Sequence, residues 1–86
     1  MPTLLDSIER LAESCIDEGI GPVVVNIRVE SPATVDALYR LLGEPVGGTY
    51  ERPHFDEDGR RMAVTTVSGA TVMLSQSMVA AMRRAA

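Results

Sequence analysis

Lysine and tryptophan are absent from this 86-residue chain, and cysteine occurs once, at Cys15. A single thiol cannot close an internal disulfide, so a small disulfide-stapled fold is excluded and a reducing, cytoplasmic setting fits. Aromatic side chains are limited to Tyr39, Tyr50 and Phe55. Val, Leu, Ile, Ala and Met must therefore build the core. The eight cationic residues are all arginine and face twelve carboxylates, for a net charge of −4. The arginines are dispersed, and the pairs Arg60-Arg61 and Arg83-Arg84 are too short to make a phosphate-neutralising patch. Nucleic acid is accordingly not an expected partner. No apolar run has the length of a membrane span. Asp6, Glu9 and Glu13 break up the N-terminal apolar residues, against a signal-peptide pattern.

What remains is 45% hydrophobic and strongly periodic, which is the composition of a folded chain. Its length allows one domain, expected over residues 1–86. A core this small leaves roughly a third of the unfolded chain's surface exposed, so pairing with a second copy is a natural way to bury more.

Residues 1–21 read as an N-terminal amphipathic helix. Thr3 and Asp6 have the form of a capping box. Leu4, Leu5, Ile8, Leu11, Ala12, Cys15 and Ile16 fall on one helical stripe, and acidic residues take the other face. Gly19 and Gly21-Pro22 end it. On this reading Cys15 is a buried core thiol rather than a nucleophile, and the helix covers a sheet edge or a partner. Its acidic face is unsuited to an anionic membrane surface.

Residues 22–77 read as strand, helix, strand, strand, strand. In the first strand, Val23, Val25, Ile27 and Val29 alternate with Val24, Asn26, Arg28 and Glu30. One face is core and the other is polar. Ser31 and Pro32 open the second helix, and Gly43 closes it as the left-handed residue. Val35, Leu38, Tyr39 and Leu42 form its buried stripe, seated on the Val25/Ile27/Val29 face. Three β-type runs follow, around Val46 to Arg52, Met62 to Val67 and Ala70 to Ser75. Gly47-Gly48 marks a bulge, a bend or a close approach. Asp58-Gly59 and Ser68-Gly69 are turn signals. Residues 78–86 read as a short C-terminal helix with Met78, Val79 and Met82 inward. The expected fold class is α+β: a curved four-stranded sheet of βαβββ type, mixed or antiparallel, with the extra helices at its ends.

The span from Val23 to Ser75 resembles one βαβββ module of the vicinal oxygen chelate superfamily, which includes glyoxalase, bleomycin-resistance and extradiol-dioxygenase proteins. Ile27-Arg28-Val29, Ala37-Leu38-Tyr39 and Leu41-Leu42-Gly43 carry the resemblance, with Asp58-Gly59 and the Gly69 to Leu74 strand in the matching order. Metal-dependent members place a His on the first strand, near Val24 here, and a Glu on the last strand, where this chain has Thr71, Met73 and Ser75. Neither ligand type is present, so no metal and no other cofactor is expected. The family closes a cup from two modules, and this chain has one. The resemblance thus implies either a homodimer, in which the two Val24/Asn26/Arg28 faces would line a shared cup, or coverage of the open edge and face by the first and last helices.

Three groups compete for chemistry. His54, Asp56, Glu57 and Asp58 are the densest polar cluster, but carboxylates and glycine dominate turns for conformational reasons, and the spacing is not that of a calcium loop. Ser68, Ser75 and Ser77 lack a G-x-S-x-G context. Arg28 is the charge to follow, because a mid-strand arginine on a polar face can hold an anion through paired bonds. Its alternative is a pair with Glu30, Glu51 or another carboxylate across the sheet. The candidate ligand-binding residues are Asn26, Arg28, Glu51 and Met73, with no catalytic residue. The expected function is a small non-catalytic binding protein, a homodimer that holds a small anionic ligand or a protein partner. Its alternatives are a metal-independent or degenerate enzyme of the vicinal oxygen chelate type, and a phage or accessory protein that modulates a host protein.

Overall fold

A computed structural model describes residues 3–43 and 51–77. The order of elements is α1 (Leu4–Asp17), β1 (Val24–Val29), α2 (Pro32–Leu42), β2 (Glu51–Phe55), β3 (Arg61–Val67) and β4 (Ala70–Gln76). The strands form one mixed sheet in the order β1-β4-β3-β2, with β1 parallel to β4 and the other neighbours antiparallel. The fold is α+β, with a helix ahead of the strands, as the periodicity predicts. Residues 44–50 and 78–86 lie outside the described residues, and with them Gly47-Gly48 and the expected C-terminal helix.

Both helices pack on one face of the sheet. Strand alternation sends Ala63, Thr65 and Val67 of β3 and Val72, Leu74 and Gln76 of β4 to that face, and all six are buried. Ile8 of α1 and Val35 and Leu42 of α2 close the cluster over them. The second helix sits over the two central strands, not squarely on β1. Val25, Ile27 and Val29 are consequently only half-buried. Leu38 and Tyr39 are also half-buried, on the flank of the helix stripe.

Polar ties fix the helix layer. Thr65 donates its hydroxyl to the Gly43 carbonyl at 3.2 Å, holding the end of α2 to β3. Arg61 grips Asp36 of α2 with two bonds, 2.8 and 3.3 Å, and lies over the Phe55 ring at 4.7 Å. Gln76 is buried but satisfied: its carbonyl accepts from the Arg61 N–H, and its amide donates to the Glu30 carbonyl, each at 3.2 Å. Gly43 has φ +83, as a helix-ending glycine should, but its ψ of 173 is extended rather than left-handed helical. Only glycine adopts this pair of angles at low cost.

Three expectations need correction. The helix α1 covers neither edge of the sheet; it packs on the α2 face, through Ile8 and Ala12. Its capping box forms, with Thr3 and Asp6 bonded reciprocally at 3.1 and 3.2 Å. Leu4, Leu11 and Ile16, however, are exposed, and Cys15 is half-exposed rather than a core thiol. The second strand runs on to Phe55 instead of ending at Arg52, while its expected start at Val46 lies outside the described residues. It is an edge strand with Pro53 inside it and a register break between Glu51 and His54, so no alternation marked it in the sequence.

Candidate functional site

The face opposite the helices is built by the other half of each strand. From β1 it receives Val24, Asn26 and Arg28, from β4 Thr71, Met73 and Ser75, and from β3 Met62, Val64 and Thr66. Cross-strand register arranges these in rows. Asn26 lies beside Met73, Met73 beside Val64, and Val64 beside Glu51. Three of the four candidate residues, Asn26, Met73 and Glu51, therefore share one row. In the next row Arg28 lies beside Ser75, Ser75 beside Met62, and Met62 beside His54.

The bulge in β2 decides what the far edge contributes. Two steps along β3, from Val64 to Met62, match three along β2, from Glu51 to His54. Without the extra residue, positions three apart would point to opposite faces. With it, Glu51 and His54 share the open face, and the His54 ring nitrogen comes within 3.6 Å of the Glu51 carboxylate. His54 also bonds the Arg52 carbonyl through Nδ1 at 2.8 Å. Sequence alternation alone gave no sign of His54 joining this face.

The result is a strip with an exposed cation at one end and an exposed Glu–His pair at the other. Half-buried Met73, Val64 and Met62 lie between them. Among the described residues Arg28 makes no ion pair, so the cross-strand pairing with Glu30 or Glu51 weighed above does not form there. None of the described residues takes its guanidinium donors, which can bind an anion. Asn26 adds an amide, and the methionines add an adaptable apolar floor.

The acidic hairpin after β2 has a different use. Asp56 accepts from the N–H groups of Asp58 and Arg60, at 3.0 and 2.9 Å, and from Arg60 Nε at 3.1 Å. Its own N–H bonds the Arg60 carbonyl, and Gly59 takes the positive φ of +79 that the turn needs. These donors, led by the Arg60 backbone N–H, hold the Asp56 carboxyl below its ordinary pKa of 3.8. Asp56 is thus committed to closing the turn. No three His, Cys, Asp or Glu side chains among the described residues are close enough together to hold a metal ion.

A shallow cleft lies elsewhere, between the start of α1, the end of α2 and the β3–β4 hairpin. Leu5, Glu9, Leu42, Thr66, Val67, Ser68 and Gly69 line it. Its one ionisable side chain is Glu9, and none of the four candidate residues reaches it. No described helix is long and apolar enough to cross a membrane. No protein-family model, curated protein or solved structure matches this chain.

Proposed function

We propose that this chain is a non-catalytic binding protein that works as a homodimer and holds a small anionic ligand on its open sheet face. The observation that carries the reading is the convergence of Asn26, Arg28, Glu51 and Met73 on one side of the sheet, with Arg28 exposed and unpaired among the described residues. Arg28 would take the anion through paired N–H bonds, Asn26 would accept or donate beside it, and Met73 would pack against its apolar part. The element order β1-α2-β2-β3-β4 supports keeping the likeness to a single vicinal oxygen chelate module, working without the family's metal.

Binding is tested by calorimetric titration with inorganic phosphate and a panel of small mono- and dicarboxylates. The reading expects saturable binding of at least one probe, lost in Arg28→Ala. Equal binding by the variant, or no binding of any probe, contradicts it. A second reading, a module that binds and modulates another protein, is favoured by the exposed Leu4, Leu11 and Ile16 on α1. Under that reading Leu11→Glu abolishes partner binding and Arg28→Ala leaves it intact.

A further inference from the structure

The two edges of the sheet are built differently. Edge β2 is blunted: over its described residues it holds Pro53, breaks register at its bulge, and exposes Glu51, Arg52 and His54. Those are the devices by which a sheet edge avoids pairing. Edge β1 has no proline and no bulge, runs in unbroken register from Val24 to Val29, and carries one charge, Arg28. The carbonyls of Val23 and Val29 bond Thr71 and Ser77 on the β4 side. In a parallel ladder the alternate residues turn their N–H and C=O groups the other way. Among the described residues no strand pairs with this edge, so Val24, Asn26 and Arg28 offer six backbone groups along it.

We infer that this edge pairs with the same edge of a second copy, antiparallel about a two-fold axis through Asn26. The inference rests on the open-face reading above and names the partner that completes that site. In this register Asn26 opposes the partner's Asn26, Val24 opposes the partner's Arg28, and Val25 opposes the partner's Ile27. Val23 opposes the partner's Val29. The half-buried Val25, Ile27 and Val29 gain an apolar neighbour on the helix side. The two Arg28 side chains stand four residues apart along the strand, roughly 13 Å, so their repulsion is weak. The register one pair further along would set them diagonally adjacent, which is unfavourable.

Pairing in this way joins two sheets into one of eight strands. The row Glu51, Val64, Met73, Asn26 then continues into the partner's Asn26, Met73, Val64 and Glu51. A ligand near one Arg28 touches the partner's Val24 and Thr71. The site is shared between copies, and a monomer presents only half of it.

Single-thiol variants in a Cys15→Ser background test the register. Asn26→Cys should form an intermolecular disulfide nearly completely on mild oxidation, because opposed bonded residues have Cα atoms about 5.5 Å apart. Val24→Cys should not, since its two copies lie roughly 13 Å apart. Val24→Pro, which removes one outward N–H at the first strand position, should raise the dimer dissociation constant at least tenfold while the melting curve remains cooperative. A dimer in which Asn26→Cys fails to bridge, or Val24→Cys bridges equally well, overturns the register but leaves the open-face reading intact. A monomer at all concentrations overturns the inference; phosphate or carboxylate binding that still depends on Arg28 would show the binding reading survives without it.

Discussion

Leu74 and Arg28 lie in register-linked strands but on opposite faces, and their replacement by alanine should have opposite consequences. Leu74 is 1% exposed and sits in the main cluster with Val35, Val72 and Ala63. It lies on a central strand under α2, where collapse around a cavity is limited. Leu74→Ala should cost roughly 3–5 kcal/mol, the upper part of the range for buried leucine. A chain of this size is stable by only about 4–13 kcal/mol, so the variant is expected to be partly unfolded at moderate temperature. Arg28 is exposed and makes no ion pair among the described residues. Arg28→Ala should stay within about 0.5 kcal/mol of the parent. Urea denaturation at one fixed protein concentration reads both, with equal slopes confirming that the unfolded states match. A loss above about 2 kcal/mol for Arg28→Ala would show that Arg28 is a structural tie, and that an anion cannot claim its guanidinium.

Gln76→Leu strands the Arg61 N–H and the Glu30 carbonyl, and should cost about 1–3 kcal/mol even though leucine gains apolar contact; a change under half of that, by urea denaturation, would mean water replaces both bonds. Asp36→Ala frees the Arg61 side chain from α2 and should cost about 1–2 kcal/mol, between the values for exposed and buried pairs. The Asp56 carboxyl is held below its ordinary pKa of 3.8, so its contribution is complete above that pH and is lost as pH falls through the lower folded value. Asp56→Asn should therefore narrow the parent's stability advantage in acid relative to pH 7, and an unchanged difference between pH 7 and pH 2.5 would contradict the assignment.

Much of the architecture was legible because local chemistry dictates it. The Thr3–Asp6 cap, Pro32 at the start of α2, and Ser68-Gly69 between β3 and β4 each satisfy a local backbone requirement, and each forms. The alternation in β1 placed Asn26 and Arg28 on the polar face for the same reason. Long-range pairing was less legible. Nothing near β1 in sequence says that β4, more than forty residues later, inserts beside it. That insertion moves α2 toward the central strands and leaves Leu38 half-buried. The bulge in β2 breaks the period on which strand reading depends, so it concealed both the strand's run on to Phe55 and the arrival of His54 beside Glu51. The stripe of α1 predicted a helix correctly, but periodicity cannot tell how much of a stripe finds a surface. Here Ile8 and Ala12 do, and Leu4, Leu11 and Ile16 do not.

The central claim is that the open sheet face is the binding surface. Amide chemical-shift mapping during titration with the phosphate and carboxylate probes tests it most directly. The account predicts saturable shifts centred on Asn26, Arg28, Val64, Met73 and Glu51, absent in Arg28→Ala. Shifts confined to α1 or to the cleft at Leu5, Glu9 and Ser68, or shifts that persist in Arg28→Ala, would contradict it.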